Sequence, residues 1–361
     1  MSFVTVTFPS YAEAPRIVIW EMTRACALAC RHCRAEAIPR RDAAELSTKE
    51  ALALVDAVAA CGEPIFVLTG GDPFMRDDLP EIVAYATQRG LRVAISPSAT
   101  GRLTSAALQR IVDAGCRRIS LSIDAPDAEA HDGVRGVRGS FERTLLGVTA
   151  ARAVGLEVQI NTTISRLNAD RIGEMADLLR SLDIALWSIF FLVPVGRATV
   201  DDVLSAAETE CAFYEIHRAS RTLPFGVKTT EAPHYRRFLL QHATGTSPLE
   251  VRSPDPPVRF LAIGDGKGFV FISHHGEICP SGFLPLVVGN VRTQRLLDVY
   301  RDHPTMRQLR DPDTFTGKCG VCEFRQLCGG SRARAYTMVG SAFASEPTCA
   351  YIPPAWSHHG A

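Results

Sequence analysis

Between Ile17 and Leu192 the chain alternates short apolar runs with longer amphipathic stretches, and this alternation narrows the available folds more than any other feature. The short runs are Ile17 to Trp20, Ile65 to Leu68, Arg92 to Ser96, Arg118 to Ile123, Glu157 to Thr163 and Leu186 to Leu192. The stretches between them carry helix punctuation. Ser47-Thr48-Lys49-Glu50 is a capping box, and Gly62, Gly90, Gly115 and Gly155 stand where helices stop. Helices are expected after that box, over Pro80 to Arg89, up to Gly115, over Ser140 to Val154 and over Asp170 to Leu182. Apolar strands separated by helices pair in parallel, because the crossover helix returns the chain to the same end of the sheet. Six units predict an α/β fold, a partial (β/α)6 TIM-like barrel, with chemistry at the C-terminal ends of the strands where the βα loops converge.

The alternation stops after Ala198. Helical stretches and the proline-rich run Ser247-Pro248 and Ser253 to Pro257 read as a bridge. From Arg259, Gly-rich turns at Gly264-Asp265-Gly266 and His275-Gly276 mark a small α+β module. The expected organisation is an N-terminal extension over 1–14, the barrel over 15–200, a helical bridge and linker over 201–258, the module over 259–352 and a tail over 353–361 that frays from Ser357 to Ala361. Lys+Arg and Asp+Glu are each 39, so no bulk field draws the chain to nucleic acid or an anionic membrane. The first residues lack the pattern of a signal peptide and no apolar run reaches membrane-spanning length, so the expected location is cytoplasmic.

Eleven cysteines in a reducing compartment are thiols or metal ligands rather than disulfides. Cys26-x3-Cys30-x2-Cys33 directly follows the first strand. Three thiolates can hold three irons of a 4Fe–4S cubane and leave the fourth open to a small molecule, whereas a ferredoxin-type cluster takes four cysteines and only moves electrons. The alternative is that the three are core residues or zinc ligands, but zinc favours paired C-x2-C units with a fourth ligand close by. A second set, Cys319-x2-Cys322-x5-Cys328 with Cys349 beyond and Cys279 upstream, can close a cluster completely; C-x2-C also suits a structural zinc. Cys61, Cys116 and Cys211 read as small buried hydrophobes. Polar residues gather after the strands: Gly70-Gly71-Asp72-Pro73, Ser96 and Ser98, Ser122 and Asp124, Arg135, and Asn161. All fall on one face of the expected barrel, where a shared ligand would bind.

The cysteine run, the Gly70 to Pro73 turn and the stretch Ser120 to Asp124 with Arg135-Gly136 together resemble the radical S-adenosylmethionine (SAM) enzymes over residues 15 to 200. The resemblance implies that Cys26, Cys30 and Cys33 bind a 4Fe–4S cluster whose open iron chelates SAM, and that reduction cleaves SAM to methionine and a 5′-deoxyadenosyl radical. His32 takes the ring position beside the third cysteine. Gly70, Gly71, Asp72 and Pro73 are placed beside the methionine amino group, with Asp72 where the family commonly has glutamate. Ser96, Ser122, Asp124, Arg135 and Asn161 are candidates for the remaining cofactor contacts, the last four for the methionine carboxylate and ribose; Gly196 and Arg197 border the adenine. The C-terminal set is similar to the SPASM/twitch extension in the branch serving alternative haem and haem d1 synthesis.

That resemblance implies one auxiliary 4Fe–4S cluster on Cys319, Cys322, Cys328 and either Cys349, the favoured fourth ligand, or Cys279; Ser331 stands where related sequences often carry cysteine. The implied substrate is a tetrapyrrole whose side chain is oxidatively decarboxylated, with ferredoxin or flavodoxin as reductant. A ribosomally made peptide is the alternative substrate. A non-catalytic iron–sulfur carrier or zinc-stabilised binding module is the alternative of another class. Thr229 to Arg237 is expected where substrate enters, or as a solvated helix start, and His274-His275 as a polar turn.

Overall fold

The computed structural model describes residues 10–244 and 262–358. The proline-rich run and the last residues of the tail lie outside them. The chain runs β1 (Ile17–Glu21), α1 (Thr48–Ala59), β2 (Ile65–Thr69), α2 (Leu79–Gln88), β3 (Arg92–Ile95), α3 (Ser105–Asp113), β4 (Arg118–Ser122), α4 (Ala128–Arg135), α5 (Ser140–Ala153), β5 (Glu157–Ile164), α6 (Ile172–Arg180) and β6 (Leu186–Phe191). It continues with α7 (Ala206–Ser220), β7 (Gly226–Thr230), α8 (His234–Thr244), β8 (Phe269–Ile272), β9 (Glu277–Cys279), β10 (Gly289–Asn290), α9 (Leu296–Asp302), α10 (Pro304–Arg310), α11 (Gly317–Val321) and α12 (Arg332–Val339).

One ten-stranded sheet has the order β10-β9-β8-β1-β2-β3-β4-β5-β6-β7. From β8 to β7 every pairing is parallel, with Ile17 opposite Ile65, Ser122 opposite Asn161, and Ser188 opposite Lys228. The α/β barrel is partial: β7 is one edge and β10 the other. Its outer face packs Val18, Trp20, Phe66, Leu68, Ile119, Ile160 and Trp187 against the helices in one apolar core. Local signals match this outcome. Ser47 caps α1 and Glu50 returns the bond, as the capping box predicts.

Three features go beyond what the chain's pattern announces. The segment after Ala198 is not only helical, because Gly226–Thr230 adds a seventh parallel strand beside β6. That strand is short and mixed in polarity, as edge strands are, so it carries little periodic signal. The C-terminal part does not form a separate sheet: β8 pairs in parallel with β1 and extends the barrel sheet. Residues 10–14 of the N-terminal extension are anchored. Tyr11 is buried, and its carbonyl accepts from the Tyr300 hydroxyl at 2.6 Å. Among the described residues no helix is long and apolar enough to cross a membrane.

Candidate active site and a second cysteine centre

The loop carrying Cys26, Cys30 and Cys33 leaves the C-terminal end of β1 and is clamped by three other βα loops. After β2, the Gly71 and Asp72 amides donate to the carbonyls of Thr23 (2.7 Å) and Ala25 (2.8 Å). After β4, the carbonyls of Val134 and Arg135 accept from Arg31 and Ala29; after β6, Arg197 donates to the Cys33 carbonyl at 3.1 Å. Close approach explains the glycines. A Cβ at Gly71 would lie 2.4 Å from the Ala25 carbonyl oxygen, and one at Gly196 (φ +65°) 2.4 Å from that of Cys33. The backbone that Gly70 and Gly71 let approach is thus the cysteine loop itself, not only a ligand as expected. Gly71→Ala is expected to push the loop away, costing about 1–3 kcal/mol and most of the bound iron. Urea unfolding with iron analysis checks this; an iron content equal to the parent's would contradict it.

The thiols sit close together in a partly apolar nest with Leu28, Ala37 and Val137. Each sulfur already meets a donor: Leu28 N–H to Cys26 at 3.3 Å, Ala37 N–H to Cys33 at 3.4 Å, and the Arg135 guanidinium to Cys30 at 3.8 Å. Such donors stabilise thiolates and tune a cluster bound to them. Ser98 lies 3.3 Å from Cys26 and donates to the Gly71 carbonyl.

The polar residues expected around the cofactor divide into two groups. Ser96, just after β3, Ser122, the last residue of β4, and Asn161, within β5, are partly exposed, and Ser122 and Asn161 are neighbours in register. Asp72 and Asp124 are fully buried instead. Asp72 accepts from the Phe74 amide and the Thr100 hydroxyl, and burial pushes its carboxyl up to about 6. It braces the turn rather than presenting a free carboxylate. Asp124 pairs with Arg135 at 2.7 Å and accepts from the Thr163 amide at 2.9 Å, while His32 lies 3.6 Å away. Burial opposes its charge, but Arg135 and then His32 hold its carboxyl below the usual range. Asp124 and Arg135 therefore form a relay that ends on the Cys30 sulfur.

Sequence reasoning missed a second brace. Glu21, at the end of β1, bonds Arg34 at 2.5 Å and the His274 ring at 2.7 Å, joining the cysteine loop to β8. Burial favours its neutral form, but the Arg34 charge and the His274 hydrogen bond prevail and hold it at about 2. Its folded value lies below the unfolded value of about 4.3. The stabilisation is thus complete above that value and is lost as pH falls from about 4.3 toward about 2. Glu21→Gln is expected to flatten the loss of thermal stability over that acid range; parallel curves for variant and parent would refute the assignment.

In the C-terminal module, Cys319, Cys322, Cys328 and Cys349 line one cavity with His234, Arg237, Lys318 and Glu346. Cys279 lies apart, buried on β9 near Arg34 and Glu21, where burial pushes its thiol up to about 12. N–H groups of Gly330 and Glu346 donate to Cys328 and Cys319 at 3.3 Å, and Arg332 reaches Cys319 at 3.6 Å. Four sulfurs around one zinc stand about 3.8 Å apart, given Zn–S bonds of about 2.3 Å. Among the described residues, the only three-ligand group within 4.8 Å is Asp42, His274 and His275, so no three cysteine sulfurs meet single-ion spacing.

Thr229 to Arg237 does not form a solvated helix start. His234 is wholly buried and faces this cavity; Arg237 pairs with Glu210. Ser331 caps α12 and donates to Glu231 at 2.5 Å. Cys61 and Cys116 are buried as expected, but Cys211 is exposed, since α7 turns Thr209, Ala212, Phe213 and Ile216 inward.

A parallel partial barrel whose first βα loop carries three clustered thiols defines the class. The family model described as the radical SAM superfamily matches residues 20–179, and the chain belongs to that superfamily. It is an enzyme whose family cofactors are a 4Fe–4S cluster and SAM. It is 43% identical to the AdoMet-dependent heme synthase of Nitratidesulfovibrio vulgaris over 94% of this chain and 93% of that protein. Identity to the AdoMet-dependent heme synthase of Methanosarcina barkeri is 39%, over 94% and 98%. The crystal structure of Streptococcus suis SuiB bound to S-adenosylmethionine superposes with a TM-score of 0.72 at 18% identity, covering 94% of this chain and 78% of SuiB, a likeness of fold.

Proposed function

We propose that this enzyme oxidatively decarboxylates propionate side chains of an iron porphyrin in haem synthesis. The reading is carried by the end-to-end similarity to AdoMet-dependent heme synthases, which spans the C-terminal cysteines as well as the barrel. In the overall change a propionate loses one hydrogen atom, one electron and carbon dioxide and becomes a vinyl group.

Cys26, Cys30 and Cys33 are the ligands of the SAM-cleaving 4Fe–4S cluster, which with SAM supplies the hydrogen-abstracting 5′-deoxyadenosyl radical. Arg135, anchored by Asp124, offsets the negative charge of the Cys30 thiolate. The Gly70 to Pro73 backbone borders the methionine amino group; Ser96, Ser122 and Asn161 offer hydroxyl and amide groups to its carboxylate and ribose. The lumen continues the same polar row through Ser188 and Lys228. The Lys228 ammonium, whose charge is disfavoured by burial and by the nearby Arg118, is the counter-charge for a substrate carboxylate. Phe190 packs on Phe283 from the loop after β9, centroids 6.2 Å apart, and helps keep solvent from the lumen.

The electron left over needs an acceptor. Cys319, Cys322, Cys328 and Cys349 are the ligands of an auxiliary 4Fe–4S cluster in that role, and Arg237, Lys318, Arg325 and Arg332 around it favour electron uptake. A ferredoxin or flavodoxin supplies the electron that starts the cycle. Anaerobic incubation of the reconstituted enzyme with SAM, a reductant and an iron porphyrin bearing propionates tests the reading. Expected are 5′-deoxyadenosine, carbon dioxide and a porphyrin lighter by carbon dioxide and two hydrogens per side chain. Cleavage of SAM with an unaltered porphyrin and a cross-linked peptide substrate would overturn it.

A further inference from the structure

His234 is the first residue of α8 and is wholly buried, yet neither of its ring nitrogens has a hydrogen-bond partner. Leaving a buried polar group unsatisfied costs about 1–3 kcal/mol, so a native chain keeps one where something beyond the polypeptide meets it. The carboxylate near the ring is already engaged. Glu346 accepts from the Ser331 amide, the Thr348 amide and hydroxyl, and is paired with Arg334 at 3.1 Å. The ring itself is held edge-on by Phe213, with centroids 4.8 Å apart, and it lines the cavity of the four cysteines.

We propose that His234 donates a ring N–H to the iron–sulfur cluster held by Cys319, Cys322, Cys328 and Cys349, and so raises that cluster's reduction potential. The proposal rests on the reading of these four cysteines as cluster ligands. A neutral imidazole carries one N–H, which is all the bond requires. Reduction adds negative charge to the cluster, so a donor aimed at its sulfurs stabilises the reduced state more than the oxidised one. His234 is thus a positioning residue for electron uptake, one that makes the second centre a better acceptor.

The test uses full-length chain with Cys26, Cys30 and Cys33 replaced by Ala, so that only the second cluster contributes, and an EPR-monitored redox titration. His234→Leu is expected to disfavour reduction about tenfold, a drop of about 59 mV for one electron, with iron and sulfide per chain unchanged. His234→Gln, which retains a donor, is expected to recover part of the shift. An unchanged midpoint in a fully loaded Leu variant overturns the proposal. Loss of the cluster in both variants also overturns it, because the ring would then be a ligand or a structural support. Pulsed EPR on the parent chain labelled with ¹⁵N-histidine is independent of any His234 variant: a weak ring-nitrogen coupling is expected, and none would refute the bond. Zinc in place of iron in the parent defeats the cluster reading itself, an outcome distinct from the others.

Discussion

Replacing Cys26, Cys30 and Cys33 together by Ala is expected to reduce 5′-deoxyadenosine formation to the protein-free background while about four irons per chain remain on the second centre. The two cysteine sets are held by different elements. The first hangs from β1 and is clamped by the loops after β2, β4 and β6, whereas the second is built from α11, the turns around it and the segment after α12. Removing the first set takes away thiols without removing the loop's backbone bonds to Thr23, Ala25 and Arg135, so the fold around it should survive. Anaerobic reconstitution followed by iron, sulfide and 5′-deoxyadenosine measurements decides the matter. Complete loss of iron, or residual SAM cleavage above the blank, would show that the two centres are not divided in this way.

Arg334→Met is expected to destabilise the protein by about 3–5 kcal/mol, the usual consequence of leaving one member of a buried ion pair alone. Arg334 and Glu346 are almost entirely inaccessible, at 1% and 0% side-chain exposure. The guanidinium does more than pair. It donates to the carbonyls of Leu192 and Phe191 at the end of β6 and of Glu231 after β7, so one side chain from α12 ties the cysteine module to the barrel. Replacing both partners, Arg334→Met with Glu346→Leu, should recover part of the loss, since no uncompensated charge stays buried. Urea midpoints of the two variants and the parent measure this. A single variant within about 0.5 kcal/mol of the parent, the range of ordinary surface changes, would mean that the joint between module and barrel lies elsewhere.

Much of the first site is legible along the chain because its signals are local. The x3 and x2 spacing of Cys26, Cys30 and Cys33, the Ser47 capping box and the six apolar runs each depend on residues within a few positions of one another. Their placement on one face follows from the parallel connection rule. The limits appear where a side chain has two plausible uses. Asp72 and Asp124 stand at positions that suit cofactor contact, yet burial and pairing turn them into braces. His234 sits in a polar run that resembles a surface helix start; its neighbours Phe213 and the four cysteines come from far away in the chain.

Spacing along the chain points to the class of chemistry and to the thiols proposed to begin it, because three irons of a cubane demand three nearby sulfurs whatever surrounds them. The composition of the second centre is a different matter. That Cys349 joins Cys319, Cys322 and Cys328 while Cys279 stays on β9, that β8 extends the barrel sheet, and that Arg334 bolts the module to β6 all depend on contacts between distant segments. Such contacts are selected by packing and by the need to satisfy every buried polar group, and those conditions exist only once the chain has folded.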